Sequence, residues 1–513
     1  MGWRKLVRDA GRGGLMSERL RWNITGVCYG VGPRLRARRE LRRRTVVLPL
    51  VFVGLLAVSG CEQIEQARDH FRDLTPHESY QAQLNVAGLG KSALARDWET
   101  VGRVALAAPL PVSLPYAEEG YISPDAPEAA GYGFRLERGR RLTVEVSVDS
   151  GEPARVFVDL FRVPADPADP MRPVFSSESP VEAFSHEPWR GGEFILRLQP
   201  ELLRGGSYSV TLGLEAQLAF PVEGHGPQYI YSWFGAARDG GRRIHHGVDI
   251  FARRGTPVLA ASAGRVSRVR DTAIGGKVVW VRDPVRSASL YYAHLDSQYV
   301  RDGQFVQAGD TVGFVGNTGN ARTTPPHLHL GLYRRGEGPV DPFPFIDPVR
   351  VTLPELTVDT ERLGTWNRVR NGGVRLRAAP GLRGEVVREL DRHTPLRVLA
   401  GSGSFFRARL PDGTTGYVAA RLTEPVAAPF ARETVLAARS VLAAPTDDSP
   451  VLARLDAGTE VPVIGRFGDY LYVRTASGET GWLGPGQLLA GSPREVNPRT
   501  TSGERASQPG ASR

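Results

Sequence analysis

The chain has 513 residues, 41% of them hydrophobic and 23% charged, which gives room for about three or four domains of roughly 100–200 residues and excludes both a polytopic membrane protein and a wholly disordered chain. The formal charge is +10, but residues 1–60 hold 13 Lys+Arg against Asp9, Glu18 and Glu40, so the 52 basic and 52 acidic residues that remain cancel. A basic footprint able to neutralise phosphates is not supported, and no nucleic-acid partner is expected.

The basic cluster Arg34 to Arg44 is followed by an apolar run of 13 residues, Val46 to Val58, interrupted by Pro49 and Gly54. The run falls short of the ~20 residues that span a bilayer and fits the basic and apolar regions of a secretory signal. It closes in Val58-Ser59-Gly60-Cys61, which resembles the lipobox of bacterial lipoproteins. That resemblance implies cleavage before Cys61, a lipidated thiol and a membrane anchor. Glu62 is not the aspartate that holds lipoproteins of enteric bacteria at the inner membrane, so the implied address is the outer membrane, facing the periplasm. Residues 1–60 are then leader, and residues 1–33, with Cys28, are open to being an upstream mis-start, because a leader from Met16 would still have 45 residues. The mature chain would carry one cysteine and no internal disulfide despite export.

Residues 61–130 read as a tether and poorly defined segment, with Glu62 to Leu74 a short amphipathic helix or tether. Over 131–218, apolar residues alternate on four runs: Leu142, Val144, Val146, Val148; Val156, Val158, Leu160; Phe194, Leu196, Leu198; Tyr208, Val210, Leu212. Period two between Gly/Pro clusters predicts half-buried strands of a β-sandwich. The ending RGGSYSVTL resembles the pre-peptidase C-terminal type of sandwich found beside secreted peptidases.

Five of the ten histidines, His245, His246, His294, His327 and His329, fall within 85 residues. The segments His245-His246-Gly247-Val248-Asp249 and His327-Leu328-His329-Leu330 both read as strands between Gly/Pro turns. On a strand, residues two apart share a face, so His245, Gly247 and Asp249 point one way, with glycine leaving room between imidazole and carboxylate. His327 and His329 likewise share a face. Adjacent strands would bring together His, Asp and His, the three N/O donors of an open catalytic zinc site. His246 projects to the other face and reads as structural.

With Tyr292-Ala293-His294-Leu295 between them, these segments make residues 222–347 resemble the lysostaphin-type (LytM-like) zinc metalloendopeptidases, marked by HxGxD, YAHL and PHLHF in that order. The resemblance implies zinc on His245, Asp249 and His329, with His294 and His327 as the catalytic histidines. It also implies an endopeptidase acting on the peptide part of peptidoglycan. In that reading His327 serves as general base and His294 stabilises the oxyanion, two roles open to exchange. The pattern usually has Gly before PHLH and Phe-Glu after it. Here Pro325 precedes Pro326-His327 and Leu330-Gly331 follow; none of these is a ligand, so the departure bears on the orientation of His329 and on the groove wall and leaves the metal-binding residues in place.

Residues 372 to 488 repeat with an offset of 65: Pro380 and Pro445, Leu390 and Leu455, Asp391 and Asp456, Thr394 and Thr459, Val398 and Val463, Arg409 and Arg474, Gly413 and Gly478, Thr415 and Thr480, Gly416 and Gly481, Tyr417 and Trp482. Each copy resembles the bacterial SH3-like domain, a small β-barrel that commonly binds cell-wall peptide. The barrels are expected over 362–425 and 430–490, and whether Phe405, Phe406, Tyr417, Tyr470 and Trp482 face a ligand or the barrel core is open. The tail, 491–513, is expected to be disordered.

The whole reads as an all-β multidomain lipoprotein: a sandwich, a two-sheet antiparallel peptidase with a zinc groove, and two barrels. Expected partners are peptidoglycan, a membrane through lipidated Cys61, and divisome or cell-wall synthesis proteins. Rival readings are a non-catalytic activator of cell-wall amidases and a passive tether between envelope and wall.

Overall fold

The computed structural model describes residues 74–151, 154–178 and 183–485. The expected leader, Cys61 and the tail lie outside the described residues, and among those described no helix is long and apolar enough to cross a membrane.

Two helices open the described chain. Helix α1 (Pro76–Val86) starts in a capping box, in which Thr75 Oγ1 accepts from the Glu78 N–H and the Glu78 carboxylate accepts from the Thr75 N–H. Helix α2 (Ala93–Ala107) is capped by Ser92. Tyr80, Leu84 and Trp98 pack on Phe157, and His77 stacks on Trp98 at 4.6 Å. The buried polar atoms are answered: Trp98 Nε1 donates to Pro200 O at 2.8 Å, and His77 Nε2 donates to Gln199 Oε1 at 2.9 Å.

The strands that follow are β1 (Leu110–Pro111), β2 (Tyr116–Ile122), β3 (Ala130–Leu136), β4 (Arg140–Asp149), β5 (Val156–Arg162), β6 (Pro173–Glu178), β7 (Phe184–His186), β8 (Gly192–Pro200) and β9 (Gly206–Ala216). One sheet runs β1-β3-β8-β5-β6 and the other runs β2-β9-β4-β7. All four alternating runs lie on these strands, and their residues fill the core between the sheets, from Leu142 and Val144 to Val210 and Leu212. Strands β5 and β8 are buried on both faces, since α1 and α2 cover the outer one. The expectation of a tether over 61–130 is therefore corrected for 76–122, and the sandwich begins at β1 and not at 131. The inward positions of β2 hold Tyr116, Glu118, Gly120 and Ile122, and a carboxylate and a glycine there erase the apolar alternation by which strands are recognised.

Residues 222–347 contribute β10 (Ile230–Ser232), β11 (Ala237–Arg238), β12 (Arg243–Ile244), β13 (Val248–Phe251), β14 (Pro257–Leu259), β15 (Gly264–Thr272), β16 (Gly276–Asp283), β17 (Ala288–Leu295), β18 (Ser297–Gln298), β19 (Phe305–Val306), β20 (Thr311–Phe314), β21 (His327–Arg334) and β22 (Gly338–Val340). An antiparallel sheet in the order β10-β13-β21-β17-β16-β15-β19, with β22 beside β21, meets the small sheet β14-β20-β18. Val248, Ile250, Leu290, Tyr292, Leu328 and Leu330 are buried in one core, each worth about 1.5–3 kcal/mol over leaving it in water. The opposite face of the same central strands is free for the site.

The short helix α3 (Phe343–Ile346) joins this region to the sandwich. Leu218 N–H donates to Phe345 O, and a Cβ on Gly139, whose φ is +82°, would strike Pro344 O at 2.4 Å. Trp189 packs on Phe345 at 5.0 Å between the guanidiniums of Arg138 and Arg334, and its Nε1 donates to Glu337 at 2.7 Å.

The first barrel is built from β23 (Trp366–Val369), β24 (Val374–Arg377), β25 (Val386–Leu390), β26 (Pro395–Ser402), β27 (Phe405–Arg409), β28 (Thr415–Ala419) and β29 (Thr423–Pro425). It is not free of the sandwich, because β26 pairs antiparallel with β2, Glu119 opposite Gly401 and Gly120 opposite Ala400. At that joint the fully buried Glu118 accepts from Tyr116, Tyr132, Tyr208 and Arg407. Tyr417 closes the network through a 2.9 Å contact with Tyr116. The second barrel is a six-stranded sheet over Ala431–Leu483.

Candidate metal centre

Strands β13 and β21 are antiparallel neighbours with Asp249 opposite His329 and Phe251 opposite His327, and β17 flanks β21 with Ala293 opposite His329. This register puts Asp249, His327 and His329 on one face, as their spacing predicts. His245 arrives differently from the expectation, lying between β12 and β13 and off either strand. The β11–β12 ribbon holds it, through Gly235 N–H to His245 O and His245 N–H to Ala236 O, both 2.9 Å. Gly247 is needed for a different space as well: a Cβ there would lie 2.7 Å from the His329 ring and 2.3 Å from Leu330 O. His246 is exposed near Phe234 and outside the cluster.

His245 Nε2 lies 3.0 Å from Asp249 Oδ1 and 2.9 Å from His329 Nδ1, and His329 Nδ1 lies 2.9 Å from Asp249 Oδ1. These three residues form the one group of metal-donor side chains found among the described residues. Bonds of ~2.0–2.2 Å to a tetrahedral ion place donors roughly 3.3–3.5 Å apart, so the triangle fits zinc with a slight opening. Its chemistry fits as well, with two imidazoles and one carboxylate and the remaining position open.

Backbone carbonyls fix three of the rings. A carbonyl only accepts, so His245 carries its proton on Nδ1, 2.9 Å from Trp233 O, and its Nε2 is left with the lone pair that a metal requires. His294 Nδ1 is likewise bound to Thr318 O and His327 Nδ1 to Pro325 O, each at 2.9 Å. Pro325, the departure from the family pattern, thus supplies the carbonyl that sets the His327 tautomer. The rings of His294 and His327 meet edge to face at 5.1 Å, and His294 stands 6.0 Å from His329.

His294 holds a φ of +61°, a left-handed conformation that a non-glycine residue adopts at a cost of order 1–3 kcal/mol. Its backbone is held between two glycine turns, its N–H donating to Gly275 O at 2.8 Å and its carbonyl accepting from Thr318 N–H at 3.4 Å, and those turns pack so closely that a Cβ on Gly276 or Gly319 would lie within 2.3 Å of the other turn. Burial pushes the His294 imidazole down to about 4, with the neighbouring His327 and His329 adding to it. Burial also lowers His329, against the pull of Asp249. For Asp249 burial acts upward, but the imidazoles of His245 and His329 against it outweigh this and hold the carboxyl below the usual range. Metal ligands need these protonation states at neutral pH.

Spacing did not point to Arg238 and Ser232. Strand β10 has a bulge opposite β13, with Ile230 facing Ile250, Ser232 facing Asp249 and Tyr231 as the extra residue. Tyr231, exposed, lies against Phe251 at 5.4 Å, and Phe251 stacks on His327 at 4.9 Å. Arg238 donates to Asp249 Oδ2 and to Ser232 Oγ, each at 2.6 Å.

Residues 243–342 match the model of peptidase family M23, and residues 372–424 and 436–489 match the bacterial SH3 domain. The chain carries an M23, LytM/lysostaphin-type peptidase domain followed by two bacterial SH3 domains. Peptidase family M23 is a family of zinc metallopeptidases, and the cofactor of this domain is zinc. The chain is 38% identical over 128 residues to the L-Ala–D-Glu endopeptidase of Bacillus subtilis, covering 23% of this chain and 39% of that protein. It is 37% identical over 94 residues to the peptidoglycan DD-endopeptidase ShyC of Vibrio cholerae, covering 18% and 21%. The solved catalytic domain of lysostaphin from Staphylococcus simulans is 32% identical, over 23% of this chain and 88% of that domain, with a TM-score of 0.20. The chain thus spans well under half the length of these two curated relatives.

Proposed function

We propose that the protein is an exported zinc endopeptidase that hydrolyses peptide cross-links of peptidoglycan, lipid-anchored through Cys61 to the outer membrane and facing the periplasm. The observation that carries the reading is the triangle of His245 Nε2, Asp249 Oδ1 and His329 Nδ1 with His294 and His327 beside it. Relatives named as peptidoglycan endopeptidases support the substrate class, and the signal-like run ending at Cys61 supports the address.

In this reading His245, Asp249 and His329 hold the zinc, which when bound acidifies a water and polarises the scissile carbonyl. His327, with Nδ1–H on Pro325 O, has a free lone pair at Nε2 to take the attacking water's proton and pass it to the leaving amine. The Thr318 carbonyl narrows what His294 can do. Its neutral ring has no N–H at Nε2, so it donates to an oxyanion only in the exchanged assignment, in which His294 in place of His327 takes the attacking water's proton and then hands it to the leaving amine.

The test is mass spectrometry of muropeptides after incubating the protein with purified sacculi, with and without a zinc chelator. Conversion of cross-linked dimers to monomers, blocked by the chelator, is expected. Intact dimers in the presence of zinc-loaded protein would favour the amidase-activator reading.

A further inference from the structure

We infer that Arg238 is a positioning residue of the metal centre, fixing which oxygen of Asp249 faces the ion; this rests on the zinc reading above. The Asp249 side chain is only 8% exposed, and its two oxygens have separate partners. Oδ1 faces His245 Nε2 and His329 Nδ1, whereas Oδ2 accepts from Arg238 Nη2. A carboxylate free to rotate about its terminal bond could offer either oxygen or both. With the guanidinium on Oδ2, one oxygen is committed and the donor set keeps a single atom from each of three residues.

The arginine is itself held. Its Nη2 also donates to Ser232 Oγ, and Ser232, next after the bulged Tyr231, lies opposite Asp249 in the register. Arg238 lies on β11, paired with Arg243 of β12, and β12 leads directly into His245. One ribbon thus delivers a ligand from its outgoing strand and orients a second ligand from its incoming strand. Outer partners of this kind are worth about 10–100-fold in metal affinity, and Arg suits the place because it cannot lose its charge and is more weakly hydrated than an ammonium.

The experiment measures zinc dissociation constants of the full chain by competition with a chromophoric chelator, for wild type, Arg238→Ala and Arg238→Lys. It adds the visible spectrum of each protein with cobalt(II) in place of zinc, and the melting temperature without metal. The expected result is an affinity about 10–100-fold weaker in Arg238→Ala, partly regained in Arg238→Lys. The cobalt band should change when Oδ2 is released and the carboxylate can offer either oxygen, while the metal-free melting temperature stays put. Affinity and cobalt spectrum both unchanged in Arg238→Ala would overturn the inference and leave the zinc reading intact. If Arg238→Ala does not fold, an Arg238→Lys protein with full affinity and the wild-type spectrum overturns it equally. A wild-type protein that binds no zinc would instead sink the functional reading, and this one with it.

Discussion

Gly247 is the residue at which the centre tolerates least. Its backbone is ordinary, so the difficulty is space: Gly247→Ala would press a methyl into the His329 ring and the Leu330 carbonyl. Zinc affinity should fall about tenfold or more with the sheet still formed, a combination that metal analysis beside circular dichroism would detect. In the proposed function the histidines divide by role. His329→Ala is expected to lose both zinc and activity, whereas His294→Ala should retain zinc and lose about 10²–10⁴-fold in turnover. Activity surviving in zinc-free His329→Ala would refute the assignment. These residues were legible from spacing and type, because a strand's period of two is a strict geometric rule. His245 was legible as a candidate for the wrong reason, since it sits off the strand, held by backbone hydrogen bonds to Gly235 and Ala236, and meets Asp249 through its Nε2. Arg238 was not legible at all, as no periodic rule links a residue on one ribbon strand to a carboxylate on a different sheet.

At the scale of elements, α1 ties the proton chemistry of His77 to stability. Burial, then the charge of Arg197, pushes this imidazole down to about 4 from 6.5. Between those values the unfolded chain binds a proton that the folded chain refuses, so stability falls as pH drops through the window, by about 3 kcal/mol in all, and is flat above it. Denaturant unfolding at pH 7.5 and pH 4.5, wild type against His77→Gln, should show a smaller pH difference in the variant. An equal difference would remove His77 as the cause. The sandwich strands with apolar alternation were readable, but α1, α2 and β2 were not. Strand β2 turns a glutamate and a glycine inward, and what makes that acceptable is Arg407, which lies 289 residues away.

The whole molecule is joined domain to domain by faces that a reading of isolated domains would leave free. Glu118→Ala would strand the buried Arg407 guanidinium, at about 3–5 kcal/mol. Replacing both by apolar residues of similar volume should recover most of that loss. Differential scanning calorimetry would show this as a fall and a return of one shared transition of sandwich and first barrel. A Glu118→Ala transition at the wild-type temperature would mean the joint contributes nothing. The same joint answers what the barrel aromatics do. Phe406 lies in the core of the first barrel, while Phe405 and Tyr417 sit with Leu110 of the sandwich. Trp482 and Tyr472 sit with Trp366 of the first barrel, and Tyr470 donates to Asp447. Equivalent faces of the two repeats are thus each turned toward the preceding domain. Repetition was visible in the sequence, but a repeat pattern records that copies share a fold and says nothing of which side each copy turns to its neighbour.

The seat of that docking is not repeated on the second barrel. The second barrel seats on Trp366, His393 and Pro395: Tyr472 packs on Trp366 at 5.3 Å, Phe430 stacks on His393 at 3.8 Å, and Arg466 N–H donates to His393 O. By strand register the second barrel has Arg432, Gly458 and Glu460 at those places, and Arg432 is paired to Glu460 at 3.3 Å. Each chain has buried its own matching face, with Tyr472 and Trp482 against Trp366, so the exposed Arg432–Glu460 pair takes the place of a stacking surface for which the second barrel has no matching face left.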